Sequence, residues 1–361
     1  MLNHHYCSSK MLFPSVIFLA LVTSAPVVQA TTLIQALQNS GASDYAQFIQ
    51  SNPTLSALYS SDQVKTVFAP INGAVLSSLR KQKRSSSPTA DRQGAYQAMR
   101  NTNNYGALTV QPGSILNSND NSGNTNGQPQ HAVTDPSNKT QSTETKRWLG
   151  HRSTANTTFP PLLKIFTGLG EYVNIIKPDI PYDGGLIHIV DDYFTLPEPL
   201  SNTASANGHT SFLNTAKSSN LTSTLDNTPA VTVFIPSNGA FAKPNSTSSY
   251  SSSSNLLSGH VIPNFLGYLP ALTNGATYTT QAGTNVTITI KGGDYYVNNA
   301  KIIASNQILE NGVAHVVDSI VVPTTPAPVP FKGSASSIKG ASTAFFVVGG
   351  AALLFVAGVL M

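Results

Sequence analysis

Two stretches of this chain occur twice, in the same order, and that repetition constrains its organisation more than any other feature. Thr66-Val67-Phe68-Ala69-Pro70-Ile71-Asn72-Gly73-Ala74 returns as Thr232-Val233-Phe234-Ile235-Pro236-Ser237-Asn238-Gly239-Ala240. Gly185-Leu186-Ile187-His188-Ile189-Val190-Asp191 returns as Gly312-Val313-Ala314-His315-Val316-Val317-Asp318. Two separate blocks in one order mark a tandem duplication of a whole structural unit. In the first block, Thr-Val-Phe is a short strand of β-branched and aromatic residues, and Pro70 or Pro236 stops it. Asn72 or Asn238 then stands where it can cap a helix whose apolar face begins at Val75-Leu76-Leu79, or at Phe241. The second block reads as a turn feeding a buried strand, its histidine set among Leu, Ile and Val.

Helical patterns precede each first block. One starts at Asp44, with Tyr45, Phe48 and Ile49 on one face; another carries Phe212, Leu213 and Ala216. In the second copy Val286, Ile288 and Ile290 alternate with Thr287, Thr289 and Lys291, a strand with one buried face. Gly292-Gly293 turns it into Tyr295-Tyr296-Val297, and Asn298-Asn299 turns the chain again. Helices followed by a strand meander make an α+β class. Phe68 to His188 spans 120 positions and Phe234 to His315 spans 81, so the first copy carries 39 extra residues. The Asn/Ser/Thr-rich stretch Asn117 through Thr145 accounts for them as a polar insertion at about 100–150, outside the core. The expected domains are residues 31–198 and 208–323.

The ends read as processing signals. Residues 1–30 form a signal peptide, with an apolar run from Met11 through Val22 and small residues at Val28-Gln29-Ala30. Residues 324–343 are a Pro/Ser/Thr-rich stalk, and 344–361 an apolar tail with no basic residue after it. Small residues at Gly333-Ser334-Ala335 before that tail predict a glycosylphosphatidylinositol anchor at Ser334, or at Gly333, with removal of the tail. The sole cysteine, Cys7, lies in the leader, so the mature chain carries no disulfide, thiolate nucleophile or cysteine metal site. Asn138, Asn156, Asn220, Asn245 and Asn285 are N-glycosylation acceptors. A net charge of +4, part of it in the leader, gives no ground for nucleic-acid binding.

Taken together, these blocks resemble the fasciclin family. Thr-Val-Phe-x-Pro-x-Asn-x-Ala is similar to the family's first signature, with Phe68, Pro70 and Asn72 in one copy and Phe234, Pro236 and Asn238 in the other. Asn311 through Asp318, leading to Val321-Val322-Pro323, is similar to its second. The resemblance covers both copies and implies tandem domains, each a β-sandwich or wedge with packed helices. Their lipid-anchored, glycosylated layout looks like fungal surface members. It further implies a non-catalytic role in adhesion or in contact with matrix or cell wall. The family often has Tyr-His before Val-Val-Pro at mid-domain, near surfaces linked to partner binding. This chain has Gly259-His260-Val261-Ile262-Pro263 there, and the first copy has no histidine between Phe68 and His131.

His188 with Asp191, and His315 with Asp318, invite a catalytic reading. Positions three apart on a strand point to opposite faces, so each histidine is expected to bond within its domain and each aspartate to cap the following turn. A wall-glycan hydrolase is the rival class, but it needs two carboxylates facing one cleft, and Asp191-Asp192 diverge on a strand. No nucleophile elbow, His-Glu-x-x-His motif or phosphate loop occurs, and no metal or cofactor is expected. The expected partners are matrix, wall polysaccharide, other surface proteins or a second copy, with the membrane reached through the lipid. The expected location is the outer face of the plasma membrane or the cell wall; the vacuole is the alternative. Phosphatidylinositol-specific phospholipase C is expected to release the protein from cells. Recovery of the Phe345–Met361 peptide from the mature protein would refute the anchor.

Overall fold

A computed structural model describes residues 31–74, 88–137, 163–243 and 250–323. The leader, stalk, tail, Gly333 and Ser334 lie outside these residues, as do Asn138, Asn156, Asn245 and the helix expected at Val75.

The first copy opens with helices α1 (Leu33–Ser40), α2 (Ser43–Ser51) and α3 (Pro53–Tyr59). Thr32 and Gln35 form a capping box on α1, and Gly41 at φ 91° ends it. Such a box satisfies two of the amide donors that a helix start leaves unpaired. Then come β1 (Thr66–Pro70), α4 (Pro88–Gln97), β2 (Ala98–Met99), α5 (Tyr105–Leu108), β3 (Ile115–Asn117), β4 (His131–Asp135), β5 (Lys164–Phe166), β6 (Tyr172–Tyr182) and β7 (Gly185–Val190). The second copy runs α6 (Leu200–Ala206), α7 (Thr210–Ser218), α8 (Thr222–Asn227), β8 (Val231–Pro236), α9 (Asn238–Phe241), α10 (Ser253–Ser258) and β9 (Val261–Ile262). After a 3₁₀ turn at Leu269–Ala271 it finishes with β10 (Thr277–Thr279), β11 (Asn285–Lys291), β12 (Asp294–Val297), β13 (Ala300–Leu309) and β14 (Gly312–Val317).

The two sheets correspond strand for strand. Their orders are β2-β1-β7-β6-β5-β4-β3 and β9-β8-β14-β13-β12-β11-β10. In each, one parallel pair, β1 with β7 or β8 with β14, sits among antiparallel neighbours. The class is α+β, as expected.

Because alternate residues of a strand face opposite ways, each parallel pair feeds two cores. Val67, Ala69, Ile187 and Ile189 pack against Leu37, Tyr45 and Ile49 of the helices. Phe68 and Val190 turn the other way, onto Tyr96, Leu116, Ile165 and Phe194 within the folded sheet. The second copy repeats the division: Val233 and Ile235 face Phe212 and Leu257, whereas Phe234 and Val317 face Val286, Ile288 and Val297.

Two organisational expectations need correction. Residues 199–207, left between the expected domains, hold α6, whose Leu200 and Ala204 are buried in the second core. The polar insertion expected at about 100–150 is built into the first sheet as far as it is described. It supplies β3 and β4, with Leu116, Ala132 and Val133 fully buried. Its Asn and Gln residues serve the seam with the second copy. The Asn124 amide donates to Glu310 O at 2.9 Å, and Ala230 N to Asn124 O at 3.1 Å. Asn124 Nδ2 reaches Asn227 O at 2.8 Å, and Gln130 Nε2 reaches Glu310 O at 2.7 Å. A stretch that bonds backbone to backbone across a seam has the composition of a loop, and hydropathy cannot tell the two apart.

Phe68 and Phe234 are completely buried at equivalent places. Phe68→Ala and Phe234→Ala are each expected to lower stability by about 3–5 kcal/mol, measured by urea denaturation. A loss under about 1 kcal/mol at either would mean that the strand does not anchor its core.

Candidate functional site

The repeated blocks converge on one feature per copy, the chain segment that crosses the open end of the parallel pair. The parallel register places Phe68 opposite His188 and Phe234 opposite His315. The rings stack, with centroids 5.1 Å apart in the first copy and 5.9 Å in the second.

Each histidine is held at both ring nitrogens by groups outside its own strand. In the first copy the Asp179 amide donates to His188 Nδ1 at 3.2 Å, and Nε2 donates to Asn103 O at 2.7 Å. In the second the Asn306 amide donates to His315 Nδ1 at 3.4 Å, and Nε2 donates to Gly267 O at 2.8 Å. These partners fix the neutral tautomer with the proton on Nε2. Asp179 and Asn306 adopt φ of 54° and 55° within irregular stretches of β6 and β13, where the strand register shifts. Such bulges re-aim the groups of the strand that carries them, and Asp and Asn tolerate the left-handed conformation better than most residues. Their side chains complete the bracket: Asp179 Oδ1 accepts the Tyr105 amide at 2.9 Å, and Asn306 Oδ1 the Leu269 amide at 2.8 Å.

The threonine of the first block grips the same crossing segment. Thr66 Oγ1 donates to Asn101 O at 2.7 Å and accepts the Asn103 amide at 2.8 Å. Thr232 Oγ1 donates to Phe265 O at 2.6 Å and accepts the Gly267 amide at 2.7 Å. Three side chains per copy thus fasten one crossing.

The expected roles of the aspartates and asparagines change. Asp191 does not cap the following turn; its carboxylate accepts the Asn174 amide at 2.7 Å and Asn174 Nδ2 at 2.6 Å. Asp318 likewise accepts the Lys301 amide at 2.9 Å. Both tie the end of the last strand back to its antiparallel neighbour. Asn238 does not cap the helix after it, because Ser237 does so through Ala240 N. Asn238 Oδ1 accepts the Ser211 amide at 3.0 Å and its Nδ2 donates to Gly208 O at 2.9 Å. Asn72 Oδ1 accepts the Asp44 amide at 3.0 Å. Each asparagine therefore caps the first turn of an earlier helix, through an amide 27 or 28 residues before it, a service usually performed from the adjacent position.

His260, expected near a partner-binding surface, is fully buried. Its Nδ1 donates to Leu256 O at 2.7 Å and Nε2 accepts the Val321 amide at 3.0 Å. The missing tyrosine at Gly259 has a substitute. Tyr250 lies over His260 with ring centroids 5.8 Å apart, in space that a side chain at 259 would occupy. In the first copy Met99 opposes Thr66 as Ile262 opposes Thr232, so Tyr96-Gln97 hold the places of Gly259-His260. Tyr96 is also buried, its hydroxyl donating to His131 O at 2.8 Å.

The sequence did not point to Asp179, Asn306, Thr66, Thr232 or Tyr250 as site residues. One signal was available: an Asx residue stands nine positions before the block histidine in both copies. The geometry brings together Phe, Pro and His of each block and sends Asp and Asn to separate tasks. No signature residue lines the shallow crevice of about 380 Å³ between α1 and β6, near Ala36, Lys177 and Ile180. Among the described residues, no three metal-ligating side chains cluster, and no helix is long and apolar enough to cross a membrane. Of the glycan acceptors described, Asn220 is exposed after α7, and Asn285 is half-buried on β11.

Residues 207–323 match the Fasciclin domain family. A fasciclin-like arabinogalactan protein of Cercospora beticola is 34% identical over 165 residues, covering 45% of this chain and 44% of that protein. One from Arthroderma benhamiae is 31% identical over 169 residues, covering 45% and 40%. The chain spans between 40% and 51% of the length of the curated relatives it matches. A similar solved structure is the FAS1 domain pair of the insect cell adhesion molecule fasciclin I, at 15% identity and a TM-score of 0.36, over 79% of this chain and 97% of that one.

Burial pulls His131, His209, His260 and His315 down from 6.5 to about 4, and lowers His188 as well. Unfolding returns each ring to its ordinary range, so the unfolded chain binds more protons between pH 6.5 and 4. Stability is therefore full above about pH 6.5 and falls as pH drops through that window, by about 1.4 kcal/mol per pH unit for each of the four rings held at about 4. Denaturation across this range is expected to show that slope, and His315→Gln to reduce it by one proton. A stability independent of pH from 6.5 to 4 would contradict the burial of these rings.

Proposed function

We propose that this chain, whose residues 207–323 match the Fasciclin domain family, acts with the matching copy before them as a non-catalytic adhesion module at the cell surface. The observation that supports this reading is the duplicated clamp. His188 and His315 have both ring nitrogens engaged by backbone groups, so neither is available as a general base without breaking the crossing it holds. What remains for recognition is the outer surface, where polar side chains predominate and Asn220 offers a glycan site. Relatives named fasciclin-like arabinogalactan proteins fit a surface or secreted setting. A lipid attached at Ser334 or Gly333 would hold the module there, with wall polysaccharide, matrix or surface proteins as partners. Self-association between modules on apposed cells belongs to the same reading. The vacuole is the alternative address.

The test pairs adhesion with folding. Beads coated with the deglycosylated protein are expected to aggregate or bind wall glycan, and His315→Ala to lose this only in proportion to its folded fraction. That substitution is expected to cost about 1–3 kcal/mol through its unpaired partners. A fully folded His315→Ala protein that loses a hydrolytic activity on wall glycan would replace adhesion with catalysis.

A further inference from the structure

The two copies meet along a seam that contains a histidine used by neither clamp. His131, on β4 of the first copy, is buried against Tyr268 of the second, with ring centroids 5.1 Å apart. The Tyr268 hydroxyl lies 3.3 Å from His131 Nδ1. Around this pair, Val133, Ile308 and Val313 form a small apolar cluster drawn from both copies. Main-chain bridges join Gly168 to Ile308 and Glu198 to Leu309 beside it.

The seam is polar and incompletely paired. Behind it, within the first copy and beyond Tyr96, Arg92 Nε and Asp120 Oδ2 stand 3.5 Å apart, and neither atom has a hydrogen bond among the described residues. Gln130 Oε1, next to His131, is likewise without one, although its Nε2 reaches Glu310 O. Gly123 packs so closely on Gln130 and Glu310 O that a Cβ there would collide with both. The groups bearing on His131 are the Arg100 guanidinium after β2, the Tyr96 phenol on α4, the Tyr268 phenol, and the Arg92–Asp120 pair beyond Tyr96. Arg100 is the charge that acts on the ring, and it opposes protonation.

We propose that this seam is an acid-sensitive joint, in which protonation of His131 separates the two copies while each keeps its fold. A proton on Nδ1 places a charge in a buried site already facing Arg100, and it removes the lone pair that receives the Tyr268 hydroxyl. Opening the seam hydrates the imidazolium and Arg100 together. The groups of Asn124, Gln130 and Glu310 that bond across it pass to water at the same time, so their hydrogen bonds are exchanged for bonds to solvent. Burial, which holds the His131 ring down to about 4, favours the closed joint at neutral pH and weakens it on acidification.

The experiment measures the distance between the copies in the full chain. Spin labels at Val110→Cys and Lys291→Cys, in a Cys7→Ser background, report it at pH values from 7 to 4. The expected result is a shift to longer, broader distances that sets in, as pH falls from 6, above the pH at which far-UV circular dichroism is lost. His131→Phe, which keeps a ring over Tyr268, is expected to stay closed over the same range, and His131→Gln serves if that variant does not fold. An unchanged distance down to pH 4 overturns the proposal, as does opening of either variant at the wild-type pH. Loss of secondary structure in the same transition as the distance change overturns it too.

Discussion

Phe68 stacked on His188, and Phe234 on His315, join two parallel strands that are far apart along the chain, and everything else in each copy is arranged around that join. A parallel pair cannot be closed by a tight turn, so intervening chain must leave one strand, build other elements and come back. Some of that chain has to cross the end of the pair. The clamp holds the crossing in place with the block histidine, the block threonine and an Asx side chain on a bulge. Without the clamp, the backbone of residues 101–105 and 265–269 would lose several of its partners at once, and around the buried Gly267 and Tyr268 such groups are costly to leave unpaired.

Much of this fold could be read from residue order. The β-branched run ending in Pro70 and Pro236, the alternation at Val286 and Ile288, and the Gly292-Gly293 turn are local features, and local physics decides them. Both turn glycines take positive φ, 58° and 78°, as a two-residue hairpin requires. Side-chain roles that depend on distant chain were not legible in this way. Asn238 looked like the cap of the helix beside it, but Ser237 is one residue nearer, which left Asn238 free to reach Ser211 and Gly208. Asp191 and Asp318 looked like turn caps because a turn follows them, yet their partners lie across the sheet at Asn174 and Lys301. Residues 117–135 misled for a different reason. Their Asn, Gln and Ser content suits a loop in water and a polar seam between two packed bodies equally well, and only the second body decides.

That seam also separates the roles of the histidines. His188, His260 and His315 have both ring nitrogens bonded to main chain within their own copy, and they lock local structure. Among the described residues, the His131 ring has a single hydrogen-bond partner, a side chain of the other copy. The difference follows from position. A ring beside a parallel pair is surrounded by strand ends and bulges rich in main-chain donors and acceptors, whereas a ring on the outer end of the sheet meets whatever body packs against it.

The strand order has a consequence for how such a chain is made. β14 is the final strand of its sheet in sequence but lies inside it, between β8 and β13, just as β7 lies between β1 and β6. During synthesis, β8 is complete long before its parallel neighbour leaves the ribosome, and the meander of β10 to β13 is finished with one flank open. Neither half can seal until residues near 190 and 317 arrive. The chain is therefore a slow, high-contact-order folder whose exposed strand edges persist until the last segment inserts, and that interval is its time of greatest vulnerability to aggregation.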